Sequence, residues 1–481
     1  MQTASARFSA FRPTVVTSQI PLGKLVPFWA AAFVGILSAA ATGFWVTLPA
    51  VLLLWAAWRY LQTEEGPPVF ALAFTHHWIQ ITLGLFYFPL CNRPILRFGN
   101  DDPTPVTWLA LIGSAVLLLG LVAGLRVAKP ADPYYRNRPQ YFFRESVAIG
   151  LFLLFVATSS MLNEIAFEYP SILQIALAFG SVRLAFLYLL LRRYVAAKRW
   201  WAFLGFAFVE LMVGFSGFFA SFREGFVVMF LALLELFDRR RRFHWILLGA
   251  TGVAAIGAGL LWTAVKGKLR QEVSVGTEKE GRLTRLMRLM EVTGESLDSF
   301  GENFMTNADK IVDRQWPVHI PHLVLQRVPS AKPHTDGSFV FGAITHVIQP
   351  RLMFPDKPDL MSDSAKVREY AGIWVAGAES NTSIAFGYFA ESYIDFGIPV
   401  MYVPVFLFGL FAGVSYRMIC RILYHRELAV AVTTVVFWSS LYLFERSWDR
   451  ILGIGLTLMI VITLTLVVAE RLFGRIPRGA A

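Results

Sequence analysis

The sequence predicts an all-α polytopic membrane protein with about twelve transmembrane helices and one large extracytoplasmic loop. Three observations predict it. Of 481 residues, 56% are hydrophobic and 16% charged, with a positive mean hydropathy; a soluble core cannot hide so much apolar surface, whereas lipid accepts it. Apolar runs recur along the chain at membrane-crossing lengths. Basic residues gather in short stretches between alternate runs, the bias that orients membrane helices.

A span needs about twenty mostly apolar residues. The runs, in order, are 26–42, 44–58, 67–90, 106–125, 147–167, 170–191, 201–219, 225–237, 243–264, 397–416, 428–443 and 452–470. The first two are short and meet at Thr42-Gly43, which reads as a tight hairpin. The eighth is also short and can begin as early as Phe218. These runs divide the chain into a cytoplasmic tail 1–25, helices one to nine in 26–265, a periplasmic loop 266–381, an outer entry with helices ten to twelve in 382–470, and a cytoplasmic tail 471–481.

Each span reverses the side, so charge tests the count. With a cytoplasmic N-terminus, "RVAKPADPYYRNRPQYFFR" (126–144), "RRYVAAKR" (192–199), "RRRR" (239–242), "RMICRILYHR" (417–426) and the tail with Arg471, Arg475 and Arg478 all fall inside. The short outer connections hold only Arg93, Arg97, Arg223, Arg446 and Arg450. The net charge of +11 would suit nucleic acid, but no basic helix or aromatic–basic array accompanies it. Met1 to Lys24 is polar and the first apolar run leads into another, so no cleavable signal peptide is expected. Cys91 and Cys420 lie near opposite faces, too far apart for a disulfide.

The long loop balances its charges, as a segment that translocates regardless of charge can. Its first third places Leu283, Leu286, Met287, Leu289 and Met290 at helical spacing, which suggests amphipathic helices at the membrane surface or against the bundle. "GSFVFGAITHVIQP" is apolar but too short to span, and reads as a buried or re-entrant helix. His319, His322, His334 and His346 lack a compact metal-ligand spacing, and no phosphate loop or cysteine cluster appears, so neither metal nor cofactor is expected.

Charges at membrane depth are costly and face a bundle interior or a cavity. Arg183 and Glu210 read equally as functional groups or as an ion pair between helices. His76-His77 reads as an interhelical hydrogen bond. Arg223 stands in an outer turn, "FSGFFASFREGF", where a guanidinium can meet a phosphate with two parallel hydrogen bonds. The alternative is a local salt bridge with Glu224, disfavoured because adjacent helical residues do not face one another.

Three stretches carry a family likeness: "PRLMFPDKP" (Pro350 to Pro358), "FGYFAESYIDFGIP" (Phe386 to Pro399) and "SGFFASFREG" (Ser216 to Gly225). Together with the topology they make the chain resemble the Wzy-type oligosaccharide repeat unit polymerases, also called O-antigen polymerases. The arginine turn departs from the usual pattern by carrying Phe218, Phe219 and Phe222 among its small residues. The resemblance implies a bacterial inner-membrane enzyme with both termini cytoplasmic. It would move a growing glycan from undecaprenyl diphosphate onto an incoming lipid-linked repeat unit at the periplasmic face, without a metal. Its implied partners are that lipid-linked oligosaccharide and membrane lipids, with a chain-length regulator and a flippase of the same pathway, and no nucleic acid.

Such a reaction needs cations for a diphosphate leaving group, a base for a sugar hydroxyl, and aromatic rings against sugar faces. Arg223, Arg351 and Lys357 suit the first need, with Arg446 at the same face. Glu391 suits the second, with Asp395 and the loop histidines as rivals. Tyr388, Tyr393 and Trp374 suit the third. Glu391 runs directly into the tenth span; partial burial among Phe389, Tyr393 and Phe396 would raise its pKa toward neutrality. It could instead simply pair with Arg446 or Arg450. The competing classes are a glycan ligase, which sequence scarcely separates from a polymerase, and a transporter or lipid flippase, which would show repeated halves. A cysteine peptidase using Cys91 is more distant, since no histidine is clearly its partner.

Overall fold

A computed structural model describes residues 25–63, 66–130, 143–168, 172–216, 222–237, 241–275, 304–349, 351, 353–354, 356–377, 379 and 382–473, with Met287, Glu291 and Thr293. All regular structure among these residues is helical. The elements, in order, are α1 Phe28–Thr42, α2 Thr47–Tyr60, α3 Val69–Leu90, α4 Thr104–Val127, α5 Glu145–Glu168, α6 Leu173–Ala196, α7 Trp200–Ser216, α8 Phe222–Glu235, α9 Arg242–Val275, α10 Phe304–Gln315, α11 His319–Arg327, α12 Ser338–Ile348, α13 Asp363–Tyr370, α14 Tyr388–Phe396, α15 Tyr402–Ile422, α16 Arg426–Leu441 and α17 Trp448–Phe473.

Among the described residues, six helices are long and apolar enough to cross a membrane: Val69–Leu90, Thr104–Val127, Gln174–Ala196, Arg242–Trp262, Tyr402–Ile422 and Trp448–Phe473. Phe28–Thr42, Glu145–Ser159, Trp200–Phe215 and Ser338–Ile348 are apolar but shorter. The chain is therefore a helical membrane protein. Its hairpin between α1 and α2 turns at Gly43, whose φ of 75° closes α1 with a hydrogen bond to the Ala39 carbonyl.

Among the described residues, the most extensive helix contact joins α4 to α15, and its cause is visible in the residues. "GLVAG" at 120–124 faces "GLFAG" at 409–413. A Cβ on Gly120 would lie 2.3 Å from the Phe406 carbonyl oxygen, and one on Gly124 2.3 Å from that of Leu410. Only small residues let two backbones approach this way, and lipid offers no hydrophobic force to replace that packing.

Buried charges tie the remaining helices. Arg183 on α6 meets Glu210 on α7 at 3.2 Å, the ion-pair alternative for these two residues. Near the C-terminal end of α6, Arg192 bridges Glu235 of α8 at 2.7 Å and Glu427 of α16 at 2.6 Å. His76 contacts the Tyr442 carbonyl at 2.9 Å, joining α3 to the end of α16.

The segment read as a large loop does not hang free where it is described. Helix α9 continues to Val275, past the expected end of its span. Trp316 is buried and donates its indole N–H to the Ile81 carbonyl of α3, while Tyr87 donates to Asp309 on α10. Most of the expected amphipathic stretch around Leu283, Leu286, Leu289 and Met290 lies outside the described residues. Cys91 is exposed and Cys420 buried, and no disulfide joins them.

Candidate functional site

Three segments distant in sequence meet beside the start of α17. Helix α13 begins at Ser362, whose hydroxyl caps the Ala365 amide, and so carries Asp363 and Lys366 three residues apart on one face. Helix α14 begins at Gly387, where φ is 93° and a Cβ would lie 2.5 Å from the Phe444 carbonyl oxygen. That contact sets α14 against the connection leading to α17 and turns Glu391 inward.

Lys366 Nζ donates to Glu391 Oε1 at 2.5 Å and to Asp449 Oδ1 at 3.4 Å. The Trp448 backbone amide donates to Glu391 Oε2 at 2.6 Å, and the Trp448 indole to Ser392 Oγ at 2.9 Å. Asp363 receives Arg450 Nε at 2.8 Å and the Ser383 hydroxyl at 2.9 Å. The ligand oxygens of Asp363, Glu391 and Asp449 lie within 4.8 Å of one another. The carboxylate trio could gather a cation, and the Lys366 ammonium supplies one.

Exposure separates the three acids. Glu391 and Asp363 are buried, whereas the Asp449 side chain is 26% exposed and Arg450 stands beside it at 49%. Burial pushes the Glu391 carboxyl up to about 7, against the pull of Lys366 and the Trp448 amide. For Lys366, burial disfavours the charge, but Glu391 and Asp449 outweigh it and hold the ammonium above the ordinary lysine range.

A second group of charges lies on the same connection. Arg446 and Arg223 both sit over the Tyr442 ring, 5.1 and 5.6 Å from its centroid. Arg446 also donates to the Ser439 carbonyl, and Arg314 grips Glu445 with two hydrogen bonds at 3.0 and 3.1 Å. Arg223 is exposed, and no ion pair joins it to Glu224 among the described residues. Its guanidinium rests on an aromatic face and keeps its donors open.

The sequence matches the family described as Domain of unknown function (DUF8712) over residues 108–441. The chain belongs to that family. No curated protein and no solved structure matches it. The DUF8712 stretch contains Arg223, Asp363, Lys366 and Glu391, while Arg446, Asp449 and Arg450 lie just beyond its end.

Several residues singled out in the sequence have other work. Glu391 pairs with Lys366, not with Arg446 or Arg450, and both its oxygens are engaged, so its burial is complete instead of partial. The Tyr388 ring is buried, stacked on Phe389 at 4.3 Å and flanked by Trp448 at 5.1 Å, with no face open to a sugar. Tyr393 donates its hydroxyl to the Val328 carbonyl and packs on His334. Asp395 is a helix cap: it accepts from the Phe339 and Val340 amides at the start of α12 and from Thr335. Lys357 caps the other end of α12, donating to the carbonyls of His346 and Gln349. Arg351 is paired with Asp359, and among the described residues no hydrogen bond or ion pair joins it to Arg223. Trp374 is 76% exposed, with the Arg368 guanidinium 5.4 Å from its ring; it alone of the three aromatics offers an open ring.

Lys366, Asp363, Asp449 and Tyr442 were not among the sequence candidates. Asp363 and Lys366 carried a readable signal, an acid and a base one helical turn apart behind a serine cap. Asp449 and Arg450 carried another, opposite charges at the head of an apolar run. Nothing in one sequence says that these two features touch.

Proposed function

We propose that this chain is a polymerase of lipid-linked oligosaccharide repeat units, working at the periplasmic face of a bacterial inner membrane. In this reading twelve helices cross the bilayer, both termini are cytoplasmic, and the segment after α9 lies outside. One observation carries the reading furthest: the stretch 442–450 carries both an arginine pair over Tyr442 and a reachable carboxylate, Asp449, held by Lys366.

These groups suit the chemistry. The acceptor hydroxyl oxygen bonds to the anomeric carbon of the donor sugar. The bond from that carbon to the diphosphate oxygen breaks, and undecaprenyl diphosphate leaves with the electron pair. Arg223 and Arg446 take the charge of the leaving diphosphate, to which a guanidinium can offer two parallel hydrogen bonds. Asp449 takes the hydroxyl proton, with the Lys366 ammonium 3.4 Å from its carboxylate. Glu391, sealed behind them, fixes Lys366. Trp374 offers a ring for a sugar face.

The test is a strain deleted for this chain. Its surface glycan should run as single repeat units, and a wild-type copy should restore the ladder while Asp449→Asn does not. Full-length polymer in the deletion strain would overturn the proposal.

A further inference from the structure

Helix α12 is apolar along its whole length apart from His346, Thr345 and Ser338, yet it is not a core helix. Val340 and Ala343 are buried against the protein, while Phe341, Ile344 and Ile348 face outward at 59%, 38% and 69% exposure. Those three positions share one helical face. Beyond the helix, Met353 and Phe354 extend the same apolar character, both exposed.

Two independent features say what covers this face. The first is depth. Val347 packs toward Gly453, with its Cγ2 3.7 Å from where a Cβ on that glycine would lie. Gly453 stands five residues into α17, about 7 Å below its first residue, and past the charged Asp449-Arg450 pair. The outward face of α12 therefore sits level with the apolar part of a membrane-crossing helix.

The second is how the ends of α12 are closed. At the N-terminus, Asp395 receives the Phe339 and Val340 amides at 3.1 and 2.8 Å. At the C-terminus, Lys357 donates to the His346 and Gln349 carbonyls at 2.8 and 2.6 Å. Side chains, water or ligands satisfy the open ends of a helix, and here side chains close both. Where water is absent the protein must do so, and an acid at the N-terminus with a base at the C-terminus also matches the helix dipole.

We infer that α12 is embedded in one leaflet of the bilayer, with Phe341, Ile344 and Ile348 against lipid acyl chains. Its 11 residues, about 16 Å long, are too short to cross the hydrocarbon layer, so it stays within one leaflet. Lys366 Nζ lies 5.0 Å from the centroid of the Phe339 ring, so the Lys366–Glu391–Asp449 cluster sits behind this helix. The inference holds whether or not the chain polymerises glycans.

The experiment has two arms. In the first, the unaltered chain in phospholipid nanodiscs is imaged by electron cryo-microscopy. The face carrying Phe341, Ile344 and Ile348 should lie within the disc density. A face standing clear above the disc, or one covered by a second copy of the chain, overturns the inference.

In the second arm, nitroxide labels are placed singly at Phe341→Cys, Ile344→Cys, Ile348→Cys and Ser330→Cys in a Cys91→Ala/Cys420→Ala background. Labels on α12 should collide preferentially with oxygen, and the exposed control at Ser330 with a water-soluble nickel complex. Nickel accessibility on α12 equal to that at Ser330 overturns the inference, and three separate sites guard against one poorly folding variant.

Discussion

Lys366 and Glu391 form an ion pair sealed from solvent, Nζ to Oε1 at 2.5 Å, with side-chain exposures of 5% and 1%. One comes from the short helix α13 and the other from α14, the helix leading into α15. The pair thus locks α13 to α14, and through the Trp448 amide it locks both to the head of α17.

A buried pair is costly to break from one side. Lys366→Met leaves Glu391 beside a single backbone donor, and such removals cost about 3–5 kcal/mol. The double variant Lys366→Met/Glu391→Gln removes both charges and should recover much of that loss. Thermal unfolding of the purified protein in detergent reads both. Equal destabilisation by the single and the double variant would show that the charges are not coupled.

The same pair gives a pH dependence. The Glu391 carboxyl sits at about 7 in the folded protein, against 4.5 for an ordinary glutamate. Between those values the folded state holds a proton that the unfolded chain lacks. The contribution is therefore full below 4.5 and is lost as pH rises through 7. The Lys366 shift is upward, so its contribution persists throughout this window and fades only at strongly alkaline pH. The melting temperature should fall between about pH 5 and about pH 8, and Glu391→Gln should flatten the fall.

Packing between α4 and α15 makes a different demand. Gly124→Val would drive side-chain atoms into the Leu410 carbonyl, already 2.3 Å from a Cβ position, and neither backbone can retreat without unseating a membrane helix. The variant should lose its monodisperse peak in size-exclusion chromatography. Gly205→Val, where a Cβ meets nothing within 4 Å, should keep it.

What could be read from sequence follows from which forces are local. Apolar length located the helices, because each run overlaps one among the described residues; six of those helices are long and apolar enough to cross a membrane. Glu391 was recognisable as a buried acid at a helix entry, since its neighbours are aromatic. Its partner was not. Lys357 and Lys366 stand nine residues apart in the same polar stretch, and only tertiary packing decides that the first caps α12 while the second meets the carboxylates. Tyr388 and Tyr393 looked like sugar platforms for a similar reason: one sequence does not say which aromatic rings turn inward. The paired "GLVAG" and "GLFAG" stretches were legible in principle, though nothing local names their partners.

Under the proposed function, the arginines separate a phosphate site from a structural pair. Arg223 is exposed over Tyr442, and Arg446 beside it spends one donor on the Ser439 carbonyl. Arg351, by contrast, is neutralised by Asp359. If the pair over Tyr442 stabilises a leaving diphosphate, Arg223→Ala removes a positioned cation worth about 3 kcal/mol in the transition state, a hundredfold or more in rate. Arg223→Lys should recover little, because an ammonium can neither lie flat on the ring nor present a two-pronged fork. Arg351→Ala should leave polymer length near wild type. The measurement is the glycan ladder at matched membrane abundance, with purified protein and lipid-linked repeat units as the quantitative arm. A normal ladder from Arg223→Ala, with a collapsed one from Arg351→Ala, would move the phosphate site away from Tyr442 and onto the segment that follows α12.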